Sequence, residues 1–152
     1  MSPSTVDPQK LTLIGYERAM AAIQAGMEFA RSKSVQLSFV VLDSAGHLVA
    51  AGRMDGAPFV TIEIARGKAF ASIATGGQSG RALANRYRDN PMVWGNAATL
   101  GYGAPLLPAA GSFPIWSNGE LIGSMGASGA PSEVDEAAVT HAIAAIGASV
   151  TA

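Results

Sequence analysis

The stretch RMDGAPFVTIEIARGKAFASIA, Arg53 to Ala74, limits the possible folds more than any other part of the chain. It opens with an Arg, an Asp and a Gly at the end of a probable strand, and Pro58 then sets a helix start. The following residues are apolar on more than one side yet include Glu63, Arg66 and Lys68. A helix coated in apolar side chains belongs in an interior, so its few charges need partners or a purpose. The expected helix runs from Pro58 to Thr75 and stops at Gly76 and Gly77.

The rest of the chain reads as elements to wrap that rod. Residues 1–10, with Pro3 and Pro8, read as a flexible arm, and residues 11–150 as a single domain. Thr12 is an expected N-cap for an amphipathic helix, whose apolar stripe is Leu13, Tyr16, Met20, Ile23, Met27 and Ala30 and whose wet side carries Glu17, Arg18, Gln24, Glu28 and Arg31. QLSFVVLD and HLVAAGR, joined by a short loop containing Gly46, form a β-hairpin. A second, more polar helix is expected from Ser79 to Arg88, and Asn90 to Gly111 reads as an ordered irregular loop. FPIWS and ELIGSMGAS around Asn118-Gly119 give a second hairpin, since Asn-Gly suits a type I′ turn. Ser132 to Asp135 resembles a capping box opening a last helix that ends near Ala148. The order α-β-β-α-α-β-β-α implies an α+β domain, an antiparallel sheet covered by helices.

Bulk properties exclude several functions. With 10 Lys and Arg against 11 Asp and Glu, the net charge is -1, which leaves no electrostatic footprint for nucleic acid or an anionic membrane. The absence of cysteine removes disulfides, zinc-thiolate sites, iron-sulfur clusters and thiol nucleophiles. No stretch approaches about 18 uninterrupted apolar residues, and MSPSTVDPQK lacks the marks of a signal peptide, so a cytoplasmic protein is expected. Charged residues are 14% of the chain against about 25% in typical domains, which predicts a homo-oligomer built through apolar surface.

RMDGA, IARGKA, the Pro-Ile before the Asn-Gly turn, IGSMGASG and SEVDEA, in this order, make the chain resemble the GlcG/HbpS family of haem-binding or haem-degrading domains over Leu11 to Ala148. The resemblance implies a profilin-like antiparallel sheet flanked by helices and a homo-oligomer. It also implies either haem binding or a place in the breakdown of small organic acids. Members with haem roles often carry a His on the first helix; here Thr12 to Ser32 contains none, and Tyr16 is the residue there whose phenolate could ligate iron.

Several side chains have both a chemical and a structural explanation. Arg53 and Asp55 lie two apart in extended chain, where they could meet a ligand or pair with each other. Lys68 falls on an apolar face, as an anchor for an anionic ligand, a catalytic amine or a cation paired with a carboxylate. Glu63 and Arg66 are spaced to pair within the helix, and Gly67 calls for a close neighbour. His47 and His141 are too far apart in sequence to suggest a metal pair, though either could ligate haem singly. Gly123, Gly126 and Gly129 suggest a pocket floor, with Ser128 as a polar contact.

Two functions from different classes follow. One is an oligomeric binding protein for haem or a similar small anionic ligand, held by Tyr16, Arg53, Arg66, Lys68, His47 and Ser128. The other is a cofactor-free lyase or isomerase acting on a small carboxylic acid, aromatic or not, with Lys68, Glu63 and Asp55 as catalytic groups.

Overall fold

The computed structural model describes residues 12–152; the arm expected over residues 1–10 lies outside the described residues. Helix α1 (Tyr16–Ser32) is followed by strands β1 (Ser38–Asp43) and β2 (Leu48–Arg53), then helices α2 (Val60–Ala74), α3 (Gly80–Asp89) and α4 (Pro91–Ala97). Strands β3 (Ser112–Ser117) and β4 (Glu120–Ser128) and helix α5 (Ser132–Ala145) complete the chain. The sheet is antiparallel with order β2-β1-β4-β3, so the two hairpins are joined through the central β1–β4 pair. This is the α+β arrangement and element order that the sequence implied, with α4 added inside the stretch read as a loop.

The layers follow from which face of each strand is apolar. All six residues of β1 are buried, because helices cover it on both sides. Phe39, Val41, Met125 and Ala127 join α1 and α5 in the larger core, built on Ala19, Ile23, Val139 and Ile143. Val40 and Leu42, on the other face, pack against Ala65, Ala69 and Ile73 of α2. Helix α3 lies beyond α2, where Leu83 meets Ala71 and Leu106. Pro114 is tolerated in β3 because that strand is an edge.

Helix α2 begins at Val60 rather than Pro58, and α1 and α5 are capped otherwise than expected. Gly15, not Thr12, is the N-cap of α1, and the Thr12 hydroxyl instead donates to Glu120. The buried stripe of α1 is Ala19, Ala22, Ile23, Gly26 and Ala30, while Leu13 and Tyr16 are exposed. Small residues bring this face close to the sheet: Gly26 admits the Phe39 ring, which would lie 2.7 Å from an added Cβ. Ser132 does not cap α5, whose N-cap is Pro131, but Asp135 reaches back to accept from the Ala130 N–H at 3.3 Å. Helix α4 lies in the stretch expected as irregular loop: Asn90 accepts from Val93 N–H at 3.5 Å and Pro91 occupies the first turn.

The strand glycines admit neighbouring backbone, of a helix at Gly126 and of a strand at Gly123, rather than forming a pocket floor. A Cβ on Gly126 would strike the carbonyl oxygen of Ala65 on α2, and one on Gly123 the carbonyl oxygen of Leu42. Gly67 plays the same part on the helix: Leu107 donates its N–H to the Gly67 carbonyl at 3.0 Å and sits where a Cβ would be. Since Ala65 O and Ala69 N are main-chain atoms that cannot rotate away, Gly126→Ala is expected to destabilise the protein by about 2 kcal/mol or more, read as a lowered urea midpoint at unchanged m-value.

Candidate functional site

A cavity of about 560 Å³ opens where the end of α1 meets the exit of β2. Its size falls within the roughly 300–1,000 Å³ of small-molecule sites. Helix α1 contributes Met27 and Arg31, the turn after it Ser34 and Gln36, and the β2 exit Arg53, Met54 and Asp55. The methionines are partly buried and make the inner wall; the polar residues are exposed and make the rim. Met27 fits because Gly52 has no side chain, its Cε lying 2.6 Å from where a Cβ would stand. Met54 is fixed by the Leu37 N–H, which donates to its Sδ at 3.4 Å.

The rim is held by an unusual helix end. Val35 N–H bonds the Ala30 carbonyl at 3.0 Å and Ser34 N–H the Arg31 carbonyl at 3.1 Å, closing α1 in a Schellman-type turn. The residue at the left-handed position is Ser34, with φ of 55°, where glycine is usual. Among the described residues, neither Arg31 nor Arg53 takes part in an ion pair, and Asp55 is not within ion-pair distance of either. Two guanidiniums thus share one cavity with a single carboxylate, Asp55, that pairs with neither, which leaves the rim with an excess of positive charge. That arrangement suits an anion, above all a carboxylate.

Of the side chains singled out in the sequence, Arg53 and Asp55 meet at this cavity and the others do not. Tyr16, 58% exposed, stands at the opposite end of α1, about 22 Å from Arg31 at the helical rise per residue. His47 is exposed at the β1–β2 turn, about 20 Å along the strand from Arg53. Glu63 is exposed on α2 and Arg66 half-buried there, and they form no ion pair with each other. Ser128 is buried at the end of β4, in the row Arg53, Ser38, Ser128 across the sheet, without reaching the cavity. His141 is exposed on α5 with its ring 5.4 Å from that of Phe29. Arg31 and Gln36 gave no local signal, since only the packing of α1 beside β2 brings them to Arg53.

Lys68 has a different setting. It is 6% exposed, and its Nζ donates to the Ala127 carbonyl at 3.0 Å and to Asp135 Oδ2 of α5 at 3.4 Å. It reaches α5 past the start of β3, where Gly111 leaves room: a Cβ there would lie 2.6 Å from Nζ. Asp135, expected only as part of a capping box, is buried because it shares the inner face of α5 with Ala138, Val139 and Ala142, at three, four and seven residues. Among the described residues, no group of three or more potential metal-ligating side chains is gathered together. No described helix is long and apolar enough to cross a membrane.

The profile of the family described as haem degrading protein HbpS-like matches residues 14–144. Protein GlcG of Escherichia coli strain K12 is 33% identical over 117 residues, covering 76% of this chain and 81% of GlcG. The crystal structure of a PduOC–haem complex superposes with a TM-score of 0.82 at 24% identity, covering 93% of this chain and 100% of that one. A double mutant of Streptomyces reticuli HbpS superposes with a TM-score of 0.78 at 26% identity, covering 95% of this chain and 96% of that one.

Burial pushes the Asp135 carboxyl up to about 6 from its ordinary 3.8, with the Lys68 ammonium pulling the other way. The folded chain therefore holds more protons at this site than the unfolded chain between those two values. Its contribution to stability is fully present below the lower value and is lost as pH rises through the upper one. Relative to Asp135→Asn, the wild-type protein is expected to lose unfolding free energy between about pH 4 and pH 7, measured by urea denaturation at each pH. A relative stability that stays flat or rises over this range would contradict the burial effect.

Proposed function

We propose that this chain, which belongs to the HbpS-like family of haem-degrading proteins, is a binding protein for haem or a similar small anionic ligand, held in the cavity between α1 and the β2 exit. The observation that carries this reading is the pair of guanidiniums, Arg31 and Arg53, on the rim of a cavity with a methionine wall. A ligand with an apolar body and acidic groups matches both surfaces. The PduOC neighbour in complex with haem supports a flat tetrapyrrole as one such ligand.

The haem fit is divided between its parts. Arg31 and Arg53 suit the two propionates, and Met27 and Met54 suit the ring. Of the residue types that serve as axial ligands, the cavity offers methionine alone, and Met54 Sδ already accepts the Leu37 N–H. Bound haem would supply redox and ligand-binding chemistry, while this chain's residues orient the porphyrin and meet its charge.

The protein is further proposed to act as a homo-oligomer. Met92, Val93, Leu100 and Tyr102, exposed on and after α4, support this together with the low charge content. The lyase alternative keeps Asp55 at the cavity as its one placed proton carrier, whereas Lys68 is occupied by Asp135 and Ala127.

Titration of the purified protein with haemin is expected to give a saturable change in the Soret band, absent when an unrelated protein of similar size is titrated. A change that grows linearly without saturation would remove haem from the reading.

A further inference from the structure

Resting on that binding reading, we infer that the cavity recognises its ligand through carboxylates at Arg31 and Arg53 and an apolar body on Met27 and Met54, with no contribution from iron. The inference comes from where strong iron donors are and are not. Tyr16 lies at the far end of α1 and His47 at the far end of β2, and His141, on α5, lies with its ring tilted against that of Phe29 on α1. None of the three lines the cavity.

The thioethers do not replace them. Met54 Sδ is engaged by a backbone N–H, and Met27 Cε is packed over Gly52. The arginines, by contrast, come from two separate elements, so they can each take one acidic group or together bridge a single one. The Gln36 amide and Ser34 hydroxyl on the same rim add neutral hydrogen-bonding groups, and Asp55 disfavours a third acidic group on its side. The class of ligand is therefore a carboxylate-bearing amphiphile, of which haem is one case and metal-free porphyrin another.

Calorimetric titration of the full chain with haemin, protoporphyrin IX and protoporphyrin IX dimethyl ester tests this. Haemin and protoporphyrin IX are expected to bind within about threefold of each other, and the dimethyl ester about tenfold or more weakly. Arg31→Met and Arg53→Met, with unchanged circular dichroism, are each expected to weaken both acids about tenfold. Haemin binding that exceeds protoporphyrin IX by tenfold or more, or that is lost on Tyr16→Phe or His47→Ala while Arg53→Met is silent, overturns the inference and leaves haem binding standing. Absence of saturable haemin binding overturns both.

Discussion

The fold depends on a buried charge that is answered inside the protein. Lys68 and Asp135 come from helices on opposite faces of the sheet, so their contact ties the two outer layers together around the start of β3. An ammonium withdrawn from water is tolerable only if its protons are taken up, and the Ala127 carbonyl and the Asp135 carboxylate do so. Losing one member of such a pair strands the other, at a cost of roughly 3–5 kcal/mol. This explains why α2 can be apolar on several sides and still carry a cation midway along. It also explains Gly111, where a side chain would occupy the path that the lysine takes.

Those constraints were unevenly written in the sequence. Hairpins were easy to read, because Asn118 and Gly119 both adopt positive φ and Asp43 folds the other turn by accepting from Ala45 and His47 N–H groups. Helix α2 stood out by composition, and Gly67 betrayed a close neighbour, which is Leu107. Helix starts were harder. A threonine ahead of an apolar run looks like a cap, yet at Thr12 a partner from β4, distant in sequence, claims the hydroxyl. The interior face of α1 was misplaced for a related reason: alanine and glycine mark close packing without standing out in a hydrophobic pattern.

The candidate site was legible only in part. Arg53 and Asp55 were visible as polar residues leaving a strand, but their companions sit on the last turn of α1 and the residues after it. Nothing local distinguishes Arg31 from any other solvated helix arginine; its place at the cavity arises because α1 lies over β2 and ends beside that strand's last residue. The histidines and Tyr16 drew attention as reactive residue types, while the topology sends them to other parts of the surface. Chemical type is encoded residue by residue, whereas convergence is a property of the packed sheet and helices.

The left-handed Ser34 bears on how firmly that convergence is held. A serine in this conformation stores backbone strain that glycine would release, and glycine would also loosen the corner. The other side of the cavity has a different character. Strand β2 is an edge of the sheet, so one row of its backbone groups has no strand partner, and Arg53 is its final residue. A polypeptide laid along that margin would run up to the cavity's mouth, so self-assembly by strand addition and capture of a ligand would compete for, or jointly enclose, the same corner of the molecule.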